Sequence, residues 1–241
     1  MPPFLSIVIP ARNEETRLPR ALGQVFAFLE KQTYSYEVLV AENGSQDRTL
    51  EMAHSFTQYF PGLRILHEDL PGKGRAVRHG KLAAYGDYRL IADADFPMPV
   101  DQINRYLPPA CAADIAIASR EAVGAKRYNE PGYRHLTGRI YNFWIRSLVL
   151  PGLQDTQCGF KCFRAGVASD IFPRQTLTGW SFDVEMLAIA RHHNYSIREI
   201  GIPWYYNPGS KINVLHDSLR MFLDLLQIRR NLRRGVYDAL L

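Results

Sequence analysis

Short apolar runs of strand character alternate with helix-spaced segments through the first half of this chain, and that alternation is the strongest constraint on its fold. Leu5-Ser6-Ile7-Val8-Ile9-Pro10 reads as a buried strand. Residues 14–31 then place Leu18, Leu22, Val25, Phe26 and Leu29 on one helical stripe. Glu37-Val38-Leu39-Val40-Ala41 is a second strand, stopped by Asn43-Gly44-Ser45. Ser45 is a natural N-cap for a helix running to about residue 59. Residues 63–67 predict a third strand, Gly72-Lys73-Gly74 opens a helix to about residue 85, and residues 88–92 and 114–119 predict two more strands. Strands separated by helices fold into a parallel sheet with helices on both faces.

The composition suits that reading. The 241 residues are 46% hydrophobic and 22% charged, enough for one sizeable core. No apolar run reaches the roughly 18–20 residues of a membrane span. Met1-Pro2-Pro3-Phe4 leads straight into the first strand, without the charged start and apolar core of a signal peptide. The three cysteines, Cys111, Cys158 and Cys162, are odd in number and lack paired metal-ligand spacing. They read as reduced thiols of a cytosolic protein. The net charge is +5, and residues 218–241 hold five arginines against two aspartates, a local +3. No basic tract interleaved with aromatics runs through the body, which argues against nucleic acid as a partner.

Chemistry first shows in Leu90-Ile91-Ala92-Asp93-Ala94-Asp95-Phe96. Side chains two apart on a strand share a face, so Asp93 and Asp95 are expected to present their carboxylates to one ligand. The carboxyl end of a parallel strand is where ligands bind in open α/β sheets. Paired hard oxygens suit Mg²⁺ or Mn²⁺, and such an ion suits a diphosphate. Asp-x-Asp alone is common, and the plainer alternative is a loop that carries two acids.

Beyond Arg120 the regularity weakens. Residues 121–135, with Gly124, Lys126, Arg127, Asn129, Pro131 and Gly132, form a polar stretch that is either a lid or a surface loop. Then come a helix over residues 135–150, a turn plus strand over 152–164, a helix over 182–192, a strand over 196–202 and a basic helix over 215–232. That last helix sets Leu215, Leu219, Phe222, Leu223, Leu226 and Leu232 among arginines. It either lies on an anionic membrane surface or packs its apolar face on the domain.

Four loop segments line up at strand ends: Pro10-Ala11-Arg12-Asn13-Glu14, Ala41-Glu42-Asn43-Gly44-Ser45, Gly72-Lys73-Gly74 and Asp93-Ala94-Asp95. Together with Asp155-Thr156-Gln157-Cys158-Gly159-Phe160-Lys161, Phe182-Asp183-Val184-Glu185 and Gly209-Ser210-Lys211, they span almost the whole chain. This pattern resembles the family 2 glycosyltransferases of GT-A fold, and within them the branch of dolichyl-phosphate glucosyltransferases and dolichol-phosphate mannosyltransferases. The eukaryotic glucosyltransferases of that branch carry an N-terminal membrane anchor, and Met1-Pro2-Pro3-Phe4 gives no expectation of one here.

The resemblance implies one GT-A domain over residues 1–241, with a nucleotide-sugar half over 1–120 and an acceptor half over 121–241. Pro10, Arg12 and Glu14 would hold the nucleotide. Glu42 matches the acid that reads base or ribose, and Asn43 stands where many members have a second acid. An amide can hydrogen-bond there, or Asn43 is only a turn residue. Lys73, between glycines at a helix start, favours an anion. Asp95 would ligate the metal directly, with Asp93 reaching the ribose or a metal-bound water. Gln157, Phe160 and Lys161 would line the sugar and acceptor side, and Trp180 stacks on a sugar or packs in the core. Lys211 would lie near the phosphates, where the alternative is a surface lysine.

The implied reaction moves a hexose from UDP-glucose or GDP-mannose to a polyprenyl phosphate, with inversion and with Mg²⁺ or Mn²⁺ as cofactor. A sugar hydroxyl needs a general base, the part expected of an acid near Asp183. A phosphate monoester is already largely anionic at neutral pH. For that acceptor Asp183 only orients groups, or is simply a carboxylate favoured by a helix N-terminus, and Arg120 and Arg139 are the candidate phosphate ligands. The alternatives are a soluble hydroxyl acceptor or a non-catalytic nucleotide-sugar-binding protein. The expected location is cytoplasmic, at the cytosolic membrane face if the acceptor is a lipid.

Overall fold

The computed structural model describes residues 1–207 and 214–239, and the side chains of 214–218 lie outside that description. Three strand–helix units and a fourth strand open the chain: β1 (Leu5–Ala11), α1 (Leu18–Leu29), β2 (Tyr36–Asn43), α2 (Thr49–Phe56), β3 (Leu63–Glu68), α3 (Lys73–Ala83) and β4 (Tyr88–Ile91). Then follow β5 (Ile115–Ser119), β6 (Lys126–Tyr128), α4 (Gly132–Leu148), β7 (Lys161–Arg164), α5 (Ala165–Ile171), α6 (Phe182–His192), β8 (Ile197–Gly201), β9 (Pro203–Tyr205) and α7 (Val214–Arg233).

Seven strands form one sheet in the order β3-β2-β1-β4-β7-β5-β8. All neighbours pair in parallel except β7, which runs antiparallel between β4 and β5. Period-two alternation divides the core. On one face Ile7, Ile9, Val38 and Val40 pack with the Leu18, Leu22, Val25 stripe of α1. On the other face Val8, Leu39 and Ala41 meet Ala76 of α3 and Ala84 just past its end, and a further cluster joins α3, α5 and α6 around Phe163, Phe172 and Phe182. Helices therefore cover both faces, as the alternation predicts.

Successive strands run outward from β1 to β3, and β4 then sits on the other side of β1. The connections part between β1 and β4, and the carboxyl ends there form the crevice in which open α/β sheets bind ligands. The polar stretch after Arg120 is partly ordered by pairing: β6 lies parallel to β9 as a two-stranded ribbon, Arg127 opposite Trp204.

One sequence expectation is corrected and two are refined. Ser45 does not cap α2. Its hydroxyl instead accepts the Asn13 N–H at 3.0 Å, and Asp47 accepts the Thr49 N–H at 3.0 Å. The strand at residues 161–164 is antiparallel, an insertion into the sheet that no local pattern announces. The choice offered for the last helix is not exclusive. α7 buries Met221, Leu225 and Ile228, yet exposes Leu219, Leu223 and Leu226. No helix among the described residues is long and apolar enough to cross a membrane.

Candidate active site

A cleft of about 770 Å³ opens at these strand ends. Its sheet side carries Pro10, Arg12, Glu14, Asn43, Asp93 and Asp95. The loops behind β1 and β2 are stitched to each other. Gln46 N–H donates to Asn13 Oδ1 at 2.8 Å, Glu14 N–H to Thr49 Oγ1 at 2.7 Å, and Arg48 N–H to Glu15 Oε2 at 3.0 Å. Bonds between main chain and short polar side chains hold both loops without a regular element.

Asp93 and Asp95 both line the cleft, but not by strand alternation. β4 ends at Ile91, and the two acids sit in a tight turn closed by Phe96 N–H to Asp93 O at 3.1 Å, with Phe96 at φ 39°. Their surroundings differ. Asp93 Oδ1 pairs with Lys73 Nζ at 2.6 Å, and Gly159 backs its carboxylate so closely that a Cβ there would lie 1.8 Å from Oδ2. Asp95 is exposed to the cleft. Partial enclosure and the adjacent Asp93 push Asp95 up to about 6, against the opposing pull of Lys73 and Arg17. A cation beside Asp95 would relieve that repulsion. Mg²⁺ and Mn²⁺ need only one or two protein carboxylates beside substrate phosphates, so this pair fits such an ion. Among the described residues no cluster of three or more metal-binding side chains forms an all-protein cage.

Lys73 stands at the first residue of α3. Burial disfavours its charge, but Asp93, Asp183 and Asp95 more than offset this and hold it above the usual lysine range. Gly72 before it adopts φ +151°, where a Cβ would lie 2.7 Å from Thr178 O. Of the amides expected to meet an anion, Gly74 N–H is already donated to Thr178 O at 2.9 Å. Trp180 is half-buried on the cleft wall, with Lys73 Nζ 5.6 Å from its ring centroid. Of the two alternatives for Trp180, the structure has the cleft position.

Glu42 lies behind the cleft, not on its lining. Its side chain is buried, with Oε1 accepting Ser45 N–H at 2.7 Å and Oε2 2.5 Å from His67 Nδ1. His67 Nε2 faces Asp69 Oδ1 at 3.0 Å. Both ring nitrogens thus face carboxylates, an arrangement that favours the doubly protonated ring. The Glu42 hydrogen bond chiefly raises its proton affinity, with Asp69 adding. Sequence reasoning missed His67. The signal is the sheet register, which sets it opposite Glu42 across β2 and β3.

The other wall of the cleft is basic. Arg120, just past β5, makes a bidentate pair with the fully buried Asp155, Nε to Oδ2 at 2.7 Å and Nη2 to Oδ1 at 2.9 Å. Its own N–H also reaches Oδ2 at 2.9 Å. Burial raises Asp155, but Arg120 outweighs it and keeps the carboxyl well below its usual range. Trp204 has two guanidinium groups over its ring, Arg120 at 5.5 Å and Arg127 at 5.8 Å from the centroid. Arg127 is itself held by Glu121 and Glu130, and Arg134 donates to Tyr206 Oη at 2.9 Å. Arg120, Arg127 and Arg134 all line the cleft.

Arg139 does not join them. It is exposed on the outer side of α4, while Arg134 and Tyr141 of that helix face the cleft. Gln157 lines the cleft, but Phe160 is in the core, edge-on to Phe96 at 5.4 Å, and Lys161 is buried beneath the site. Lys161 Nζ donates to Asp183 Oδ1 at 2.7 Å and to Cys158 O at 2.5 Å. Asp183 lines the cleft in the first turn of α6. Burial raises its proton affinity, against Lys161 and Lys73. Glu185 faces inward and takes Leu177 N–H at 2.8 Å and Tyr237 Oη–H at 2.9 Å, a role in shape rather than chemistry. Lys211 lies outside the described residues.

Comparison with known proteins adds the family. Residues 6–172 match the model of glycosyl transferase family 2. The chain is 34% identical over 254 residues to the human dolichyl-phosphate beta-glucosyltransferase, covering 97% of this chain and 77% of the human one. Against the Dictyostelium discoideum dolichyl-phosphate beta-glucosyltransferase, identity is 30% over 253 residues, 97% of this chain and 76% of that one. Among solved structures, mannosyl-3-phosphoglycerate synthase from Rubrobacter xylanophilus superposes with a TM-score of 0.71 at 18% identity, over 97% of this chain and 75% of that one. Glucosyl-3-phosphoglycerate synthase from Mycobacterium tuberculosis, solved with Mn²⁺, UDP and glucosyl-3-phosphoglycerate, gives 0.68 at 18% identity, over 94% and 80%. Those likenesses establish the GT-A type of fold, and the family-model match and the curated relatives show that the chain belongs to the family 2 glycosyltransferases.

Proposed function

We propose that this enzyme transfers glucose from UDP-glucose to a polyprenyl phosphate of dolichyl type, inverting the anomeric centre. The relatives named dolichyl-phosphate beta-glucosyltransferase support this choice of sugar and acceptor over GDP-mannose. The observation that carries the acceptor is the basic wall: Arg120, Arg127 and Arg134 converge on the cleft, while the nearby acid Asp183 is tied to Lys161. Guanidinium groups match a phosphate monoester. An acceptor that is already an anion needs no general base.

The diphosphate lies along the sheet side, near Lys73, Asp93 and Asp95. A divalent cation held chiefly by Asp95 would offset the charge that builds on the leaving diphosphate. Lys73 turns from Asp93 toward the incoming phosphates, and Trp180 covers the sugar. An acceptor phosphate oxygen, oriented by the arginines, forms the new bond to the anomeric carbon from the face opposite the diphosphate. The old bond's electron pair leaves on UDP. Arg120 stays charged and fixed throughout, because Asp155 holds it from behind.

The test is a product assay with a short polyprenyl phosphate, UDP-glucose or GDP-mannose as donor, and Mn²⁺. The reading expects a glucosyl phosphate lipid from UDP-glucose only. Transfer to soluble alcohols alone, or UDP-glucose binding without transfer or hydrolysis, would replace it by a hydroxyl-acceptor enzyme or a binding protein.

A further inference from the structure

Among the described residues six acids line the cleft, and four of them are paired with a cation. Glu14 meets Arg17, Asp93 meets Lys73, Glu130 meets Arg127 and Asp183 meets Lys161. Asp95 is the fifth, the place for a divalent ion. The sixth, Asp224 of α7, meets a hydroxyl instead: Ser181 Oγ–H donates to its Oδ2 at 2.6 Å. No ion pair forms among the described residues between Asp224 and the exposed Arg220 one turn earlier. A half-buried carboxylate without a cation calls for further hydrogen-bond donors.

The surroundings of Asp224 say which donors fit. Ser181 is fully buried and directly follows Trp180, the aromatic wall of the cleft. From α4, Tyr141 Oη–H donates to Met221 O at 3.2 Å. Burial chiefly pushes that phenol above its usual range, against a hydrogen bond with Ser181 and with the Asp224 charge adding. Asn142, next on α4, lines the cleft and is 5% exposed. Its Oδ1 is buried and has no hydrogen-bond partner among the described residues. An enclosed carbonyl oxygen without a donor is unfavourable until a ligand supplies one.

This end of the cleft therefore sets an amide and a carboxylate, both short of donors, near an indole face. A hexose supplies what both need: hydroxyl donors at its edge and an apolar C–H face for the ring. A phosphate brings only acceptors and negative charge, and belongs with the arginines. Arg134 stands eight residues before Asn142 on α4, about 12 Å along the axis. The nucleotide belongs on the sheet side, across the cleft.

We propose that Asp224 and Asn142 bind hydroxyl groups of the transferred hexose and so help to set the sugar specificity of the enzyme. The proposal rests on the glucosyl-transfer reading for the identity of the hexose. It adds the helical end of the cleft, between α4, α6 and α7, as the place where the sugar is read.

The experiment measures binding of UDP, of UDP-glucose, and of UDP-glucose analogues each missing one hydroxyl, all with Mn²⁺. The proteins are wild type, Asp224→Asn, which keeps an acceptor for Ser181, and Asn142→Leu. At least one hydroxyl deletion should weaken wild-type binding about tenfold or more, as in a site built to bond that group. In the variant that has lost its partner, the same deletion should cost about threefold or less. UDP alone should bind both variants within about twofold of wild type, because the two subsites are separate. A role in shape alone would not produce this coupling. Wild type indifferent to every deletion, or variants as sensitive as wild type to all of them, would overturn the proposal. So would a loss of UDP affinity that matches the loss for UDP-glucose, or unchanged UDP-glucose binding with a raised KM for polyprenyl phosphate. Binding of GDP-mannose in place of UDP-glucose would defeat the glucose reading alone, and the same comparison with deoxymannose donors would then decide the subsite.

Discussion

The two walls of the cleft are built on opposite principles. On the sheet side, charges neutralise one another before any ligand arrives. Lys73 sits on Asp93 and Arg17 on Glu14, the two acids following the adjacent parallel strands β4 and β1, and behind the lining Glu42 meets His67. On the other side three arginines, Arg120, Arg127 and Arg134, reach the lining; buried Asp155 holds Arg120 from behind, and Arg127 is steadied by Glu121 and by Glu130, which itself lines the cleft. The first wall suits a group that arrives with its own cation, as a metal-bound diphosphate does. The second suits a bare anion. A transferase that joins a phosphate to a sugar needs both, and the contrast gives each wall a distinct response to mutation.

The largest effect should come from Asp95→Asn. The fold should persist, because this carboxylate is exposed and supports no buried network, while Mn²⁺-dependent transfer falls by about a hundredfold or more. Steady-state assays over a range of Mn²⁺ concentrations check it. Near-normal turnover would remove the metal from the sheet wall.

Next comes Arg120→Ala, which should act on stability as well as activity. It leaves a fully buried Asp155 carboxylate without its cation, a loss of about 3 kcal/mol. Urea denaturation of the two proteins measures it. An unchanged midpoint would show that the backbone donors around Asp155 suffice.

The smallest effect belongs to His67, which is half exposed. Its proton affinity is raised in the folded chain, so its contribution is full below the unfolded histidine value of about 6.5 and disappears as pH rises through the higher folded value. His67→Ala should lower the melting temperature by no more than about 2 °C at acidic pH, and by nothing at alkaline pH. A gap that widened with pH would reverse the assignment of an imidazolium.

The sheet wall was largely legible in the sequence, because its residues stand at the ends of strands whose period shows locally. Asp93, Asp95, Lys73 and Asn43 all reach the cleft. What misled was local geometry: the acid pair meets through a turn, and Glu42 turns inward to a partner that only sheet register reveals. The basic wall was less legible, because it depends on the phase of α4 against the rest of the molecule. Arg134 and Arg139 are five residues apart, about 140° around a helix, so one faces the cleft and the other solvent. Composition cannot choose between them. Arg127 reaches the site only through the pairing of β6 with β9, and Lys161 becomes a partner of Asp183 only once β7 enters the sheet.

The central claim is that the acceptor is already an anion, gripped by arginines rather than deprotonated by Asp183. The most direct measurement compares Asp183→Asn and Arg134→Ala in transfer of glucose to a short polyprenyl phosphate, each normalised to its UDP-binding sites so that any loss of folded protein cancels. The account predicts that Asp183→Asn keeps transfer within about tenfold of wild type, while Arg134→Ala loses far more, a hundredfold or about 2.7 kcal/mol of transition-state stabilisation. Abolished transfer in Asp183→Asn, with Arg134→Ala near normal, would contradict it.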